Sequence, residues 1–276
     1  MANITAAEVN KLRKQTGAGM MDCKKALVES DGDFEKAIDI LRKKGQKVAA
    51  NRSDRDATEG VVLSKVNETA TLGAIIKISC ETDFVAKNDD FVKYAESVLD
   101  LAIANNAKTS EEVLALSLDG ILVKDSLMDQ IGKIGEKIEL SEYAVLEDAY
   151  LAAYIHPGNR IASVVALNKV VDGVQEVGKD MAMQVAAMSP IAVDQSFVDQ
   201  ATIDRELAVF RDIIRQEGKP EEMVDKIALG KLNKFFKEST LLNQAFIKDS
   251  KASVGAHLKS FDKSLTVSNF KRFALA

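Results

Sequence analysis

The sequence predicts an α+β protein, and three observations carry that prediction. Short helical periodicities fill residues 4–45. Beyond them, a β-branched apolar hairpin followed by an amphipathic helix occurs twice. A pair of helices, with apolar residues spaced by four, three and four, then interrupts the second round.

In the N-terminal stretch, Thr5 and Glu8 form a capping-box pattern ahead of Val9 and Leu12, which begin an apolar stripe. Gly17-Ala18-Gly19 breaks that helix, and a second spans about 20–29. Asp31-Gly32-Asp33 supplies a turn and the next N-cap. Phe34, Ala37, Ile38 and Leu41 repeat at helical spacing, and Gly45 is placed to stop the third helix. Three helices in so short a span make a compact bundle with a small core, better suited to docking than to catalysis. Residues 46–59 are polar around Asn51-Arg52-Ser53-Asp54-Arg55-Asp56 and read as a linker that can begin helical.

Val61-Val62-Leu63 and Leu72-Gly73-Ala74-Ile75-Ile76-Lys77-Ile78 are strand-like runs joined by Asn67-Glu68-Thr69, a hairpin signal. A helix over about 88–105 carries Phe91, Tyr94, Val98, Leu101 and Ala102 on one face. Shorter helical pieces follow at 109–117 and 124–134, then a strand at 137–147. Near Leu151 the pattern restarts: Tyr154-Ile155, a turn at His156-Pro157-Gly158-Asn159 and residues 161–171 read as another hairpin, followed by a helix over 174–188. Two related α+β halves are the expectation, although their sequences share little. Residues 199–238 read as a projecting antiparallel helical hairpin with Ile203, Leu207, Phe210 and Ile214 on its seam. Gly218-Lys219 turns the chain, and Pro220 is expected in the first turn of the return helix, which carries Val224, Ile227, Leu232, Phe235 and Phe236. A helix at 253–261 and a strand at 265–275, with Val267 and Phe270 buried, close the chain. The expected division is a docking bundle with linker over 1–55, a first core half over 56–140, and a second over 141–276 bearing the helical hairpin.

Bulk properties narrow the function. The chain has 276 residues, and its 37 basic and 42 acidic residues give a net charge of −5, so it lacks the cationic excess that gripping nucleic acid requires. Two well-separated cysteines, Cys23 and Cys80, read as free thiols in a reducing compartment. The N-terminus lacks the basic segment and apolar run of a secretory signal, and no apolar run approaches the roughly 20 residues of a membrane span. A cytoplasmic protein without membrane or nucleic-acid contacts is expected. There is no G-x-x-x-x-G-K-[ST] loop, no H-E-x-x-H, no C-x-x-C and no G-x-S-x-G elbow. No cofactor, metal or enzymatic activity is expected.

Two stretches carry functional signal. Thr82-Asp83-Phe84-Val85-Ala86-Lys87-Asn88 stands at a strand-to-helix junction. In the ordinary reading, Thr82 or Asp83 caps a helix while Phe84 and Val85 cover the sheet. In the functional one, a rigid corner presents an aromatic anchor beside a carboxylate able to disturb a partner's Mg²⁺, which demands near-ideal octahedral geometry. Thr16-Gly17-Ala18-Gly19-Met20-Met21-Asp22-Cys23-Lys24-Lys25-Ala26-Leu27 holds two adjacent methionines that cannot both face inward on a helix, and exposed Met suits protein recognition.

Together these stretches resemble the signatures of the elongation factor Ts family, the guanine-nucleotide exchange factors for elongation factor Tu in bacterial translation. The resemblance runs through most of the chain. It implies a UBA-like N-terminal bundle whose Met20, Met21 and Lys24 dock on the nucleotide-binding domain of elongation factor Tu. It also implies that Thr82, Asp83, Phe84 and Val85 dislodge Mg²⁺ from that partner. His156-Pro157-Gly158-Asn159-Arg160, a hairpin turn by its residues, is similar to a His-Gly-x-Arg-Ile-Gly contact turn of the family. Here Pro157 is inserted and Ala162 replaces the last Gly, leaving His156 and Arg160 as candidate contacts. Ile134-Gly135-Glu136 resembles a further contact segment, with Ile134 and Gly135 as candidates, and reads equally as a helix C-cap before a strand. The implied partner is elongation factor Tu, GDP-bound and nucleotide-free, with a homodimer through the helical hairpin as a further arrangement. Longer members continue past the final strand into another helix that touches the Tu partner, and with the sequence ending at Ala276 that contact is expected to be absent, weakened or lost by truncation. The rival reading is an adaptor with a UBA-like helical domain that bridges proteins without affecting nucleotide.

Overall fold

The computed structural model describes residues 4–276. The chain begins with α1 (Ala6–Thr16), α2 (Met20–Glu29) and α3 (Phe34–Asn51). It continues through β1 (Glu59–Val66), β2 (Leu72–Cys80), the one-turn α4 (Asp83–Ala86), α5 (Asp89–Ala104) and α6 (Ser110–Ala115). A miniature hairpin of β3 (Ser117–Leu118) and β4 (Ile121–Leu122) leads into α7 (Val123–Ile134) and β5 (Ile138–Glu147). The second round comprises β6 (Tyr150–Ile155), β7 (Ile161–Leu167), α8 (Val174–Met188), α9 (Gln200–Gln216) and α10 (Glu221–Ser239). β8 (Ala245–Phe246), β9 (Asp249–Ser253), α11 (Val254–Phe261) and β10 (Val267–Ala274) complete it. The α+β class and the three N-terminal helices agree with the sequence.

The bundle forms for local reasons. Thr5 and Glu8 make the reciprocal capping box, and α1 ends where Gly17 adopts φ 69°, donating its N–H to the Arg13 carbonyl. Val9, Leu12, Cys23, Ala26, Leu27 and Ala37 fill the small core. α3, however, does not stop at Gly45. It runs on to Asn51, because Gly45 is buried against Gly132 of α7, where a Cβ on Gly132 would stand 2.9 Å from Gly45 Cα. The expected stop is instead a close crossing, and the start of the supposed linker is helix.

Two three-stranded antiparallel sheets, ordered β1-β2-β5 and β10-β7-β6, stack face to face. Val62, Ile75 and Leu146 of the first pack on Leu151, Ala162, Val164 and Ala166 of the second. The outer face of the first sheet (Val61, Leu63, Ala74, Ile76 and Ile78) lies under Phe91, Tyr94 and Val98 of α5 and Leu127 and Ile131 of α7. The outer face of the second lies under Val177, Met181 and Val185 of α8. Strands buried on both faces read as unbroken apolar runs, which is why β2 and β7 show no alternation. The sheets approach closely at Gly73, where a Cβ would meet Val164 Cγ1 at 2.8 Å.

α9 and α10 pair antiparallel around their own core of Ile214, Val224 and Ala228, with Leu207, Phe210 and Ile227 at its border. Pro220 sits at the N-cap of α10, one position before the first turn where it was expected. The two short hairpins, β3–β4 and β8–β9, are too brief to leave a periodic signal in the sequence. Val267 is buried and Phe270 half-buried. Among the described residues, no helix is long and apolar enough to cross a membrane.

Because a stiff β-branched side chain faces Gly73, Gly73→Ala is expected to overpack the inter-sheet space and cost about 1–3 kcal/mol, read by urea denaturation.

Candidate functional site

The junction after β2 is tied down at three consecutive residues. Cys80 donates its Sγ–H to the Thr82 carbonyl at 3.2 Å, and burial, with the nearby Glu136 charge, pushes its thiol up to about 12. Glu81 accepts from Arg52 Nη1 at 2.7 and 2.8 Å and from the Lys137 backbone N–H at 2.6 Å. That backbone donor, together with Arg52, holds the Glu81 carboxyl below its ordinary value. Thr82 donates its N–H at 3.0 Å and its hydroxyl at 2.7 Å to the two oxygens of Glu136, while its Oγ1 caps α4 by accepting from the Val85 N–H.

On this anchored corner the side chains diverge. Phe84 projects into solvent with 84% of its surface exposed, more than any other large apolar residue described. Val85 turns under and packs against the core of the first half, so only one of the neighbouring pair protrudes. Asp83 pairs with Lys87 at 2.6 Å, and this partner lowers its carboxyl from the ordinary value. Asn88 caps α5 by accepting from the Asp90 and Phe91 N–H groups.

Phe84 and Val85 form one wall of a groove of about 460 Å³ whose opposite wall is Gly17, Ala18, Gly19 and Met20. Phe91, Gln130, Lys133 and Ile134 also line it. The fold thus brings together the two stretches singled out by their sequence. Met20 and Met21 are 52% and 62% exposed and Lys24 is exposed as well, while Cys23, Ala26 and Leu27 of the same helix are buried. Both methionines, not merely one, face outward.

Ile134 lines the groove, and Gly135 is the left-handed C-cap of α7, with φ 82°. Both readings of that segment are therefore compatible. His156 is exposed in the β6–β7 turn, its Nδ1 at 3.2 Å from Tyr154 Oη. Arg160 pairs with Glu59 and donates to the Ala276 carbonyl at 3.0 Å. Glu59 stands opposite Cys80 in the β1–β2 register, so the turn rises at the same end of the first sheet as the corner, outside the groove. Among the described residues, no group of three or more His, Cys, Asp or Glu could hold a metal ion.

Glu81, Arg52, Lys137 and the clamping role of Glu136 were not read from the sequence. They meet only because α3 continues past Gly45 and because β5 pairs with β2, setting Ile138 beside Cys80. The polar run around Arg52 was a hint, but nothing local connects it to Glu81.

The family model described as elongation factor TS matches residues 81–276. Along its whole length the chain is similar to the elongation factor Ts of Christiangramia forsetii, 55% identical over 275 residues with 100% of both chains covered. The elongation factor Ts of Flavobacterium psychrophilum is 54% identical over 275 residues, again with 100% of both covered. That of Porphyromonas gingivalis is 49% identical over 273 residues, covering 99% of this chain and 98% of the relative. An α+β fold with these relatives is that of a translation elongation factor, acting in protein biosynthesis. The chain belongs to the elongation factor Ts family.

Two outcomes test the anchoring of the corner. Removing the carboxylate in Glu136→Ala should cost about 1.5–3 kcal/mol of local stability and speed hydrogen exchange of the Thr82 amide roughly tenfold or more. Glu81 has a lowered folded pKa, so its stabilisation is present above the ordinary glutamate value of about 4.3 and is lost as pH falls through the folded value. Urea denaturation should therefore show Glu81→Gln less stable than the native chain at pH 7, with the difference shrinking below about pH 4.3.

Proposed function

We propose that the chain is a guanine-nucleotide exchange factor that binds elongation factor Tu carrying GDP, displaces Mg²⁺ and promotes GDP release so that GTP can rebind. It performs no covalent chemistry and acts in the cytoplasm. The observation that carries this reading is Phe84, a nearly fully exposed aromatic on a corner fixed by Glu81 and Glu136.

The mechanism is a coupling of two binding equilibria. A Phe side chain offers roughly 150–250 Å² for burial, worth several kcal/mol gross at about 25 cal/mol per Å². That exceeds the ~1–3 kcal/mol typical of coupling between linked sites. The factor therefore favours whichever Tu conformation opens a slot for Phe84, one whose Mg²⁺ site is displaced. Thr82 holds the turn, Val85 backs it from beneath, and Asp83 arrives near the vacated cation position already paired with Lys87. By reciprocity, GDP and the factor weaken each other by the same ratio. Met20, Met21 and Lys24 dock the bundle against the same partner, Ile134 completes the groove between the two walls, and Gly135 ends α7 beside it. His156 and Arg160 provide a second contact from the neighbouring turn.

Release of fluorescent GDP from purified elongation factor Tu, with and without this chain, is the direct test. Phe84→Ala should slow stimulated release about 30-fold, corresponding to a hot-spot loss of ~2 kcal/mol, with the thermal midpoint unchanged because the ring supports no core. Native chain that leaves release unaccelerated would refute the exchange reading. Full activity in Phe84→Ala would refute the site.

A further inference from the structure

The bundle meets the body through backbone. α3 and α7 cross at Gly45 and Gly132, and a Cβ on Gly45 would stand 3.1 Å from the Met128 carbonyl oxygen and 3.4 Å from Gly132 Cα. On Gly132 it would stand 2.9 Å from Gly45 Cα. Glycine is, after proline, the poorest residue for a helix interior, so both helices accept a local weakness where they touch. What that weakness permits is close approach, since side chains normally set the separation of packed helices. No flexible side chain lies between the two glycines to absorb an added atom.

The crossing adjoins the groove. Gly132 is followed by Lys133 and Ile134, both of which line it, and the Lys133 stem reaches to within 2.9 Å of where a Cβ on Gly17 would stand. α2, which carries Met20, packs on α3 within the bundle core, so that wall moves with α3. The Phe84 wall is held to the residues just beyond α7, through Glu136 and Thr82, and is tied to the far end of α3 only at Arg52, which reaches Glu81. The contact of α3 with α7 therefore lies between the two walls.

We propose that Gly45 and Gly132 are positioning residues that set the separation of Met20 and Phe84, so that both anchors meet one rigid partner surface at once. This rests on the exchange reading above. Anchors joined at a matched spacing act together, and a mismatch forfeits one of them. Ordinary carbon contacts lie at about 3.5–4.0 Å, so a methyl group on Gly132 must drive the helices apart by roughly 1 Å.

Full-length Gly132→Ala and Gly45→Ala test this, with three measurements on each. The first is the distance between spin labels at Lys25→Cys and Lys93→Cys, two exposed positions, the native Cys23 and Cys80 being buried. The others are urea stability and stimulated GDP release from elongation factor Tu. The expected result is a lengthened label distance and release slowed about tenfold in Gly132→Ala, with smaller changes in Gly45→Ala, whose contacts are milder. Adding Phe84→Ala to Gly132→Ala should then slow release much less than Phe84→Ala does in the native background. A change in stability alone, with distance and release as in the native chain, overturns the proposal and leaves the role of Phe84 standing. If Phe84→Ala by itself leaves release unchanged, the site reading fails and this inference falls with it. Should Gly132→Ala not fold, Gly45→Ala decides by the same readouts.

Discussion

β2 has no free face, and the placement of the corner depends on that. One side lies under α5 and α7 and the other against the second sheet. Hydrophobicity alone would tolerate a shifted register in a strand apolar on both sides. Polar and steric details pin it instead. Gly73 is the residue that admits Val164, Lys77 reaches Glu142, and Ser79 accepts from Ser141 at 2.6 Å. With the strand fixed along its length, its end at Cys80 has one position. The side chains that follow inherit it.

The corner then joins three regions of chain that nothing local connects. Arg52 comes from just beyond α3, Glu81 from just beyond β2, and Glu136 and Lys137 from the link between α7 and β5. Such ties are what permit an aromatic ring to stand in water without collapsing onto the nearby apolar wall. The turn is held by carboxylates that accept from backbone N–H groups, and these charge-assisted bonds are stronger than neutral ones. Asp83 and Lys87 are both largely solvated, so their pair adds little to stability. It sets instead the charge that the corner presents: one acid already matched by one base.

Much of this was legible because it is local. The capping box at Thr5, the hairpin at Asn67, the helix over 174–188 and the arm with its seam all follow from spacing and turn chemistry within short windows. The stretches around Met20 and Phe84 stood out individually. Their sharing of one groove did not, since it requires the α3–α7 contact, which neither stretch contains. Gly45 shows the limit well. A glycine inside an apolar periodicity is the same symbol whether it ends a helix or lets another one in, and only Gly132 on the far side distinguishes the two. Glu136 was similarly opaque, because its two donors, both on Thr82, arrive through strand pairing. Val85 reads in the sequence as a second apolar probe beside Phe84, and the one-turn helix α4 rotates it inward instead.

The arm has a separate lesson. Its apolar seam is a cluster of its own, and both ends return to one place, where the Ile191 N–H donates to the Ser239 carbonyl and the Leu241 N–H to the Ala192 carbonyl, each at 2.9 Å. The stem is thus closed by backbone bonds beneath the helices. Growth or shortening of the arm by whole heptads would leave that closure and the layers below undisturbed. In evolutionary terms, the arm is a module whose reach can change without renegotiating the architecture that carries it.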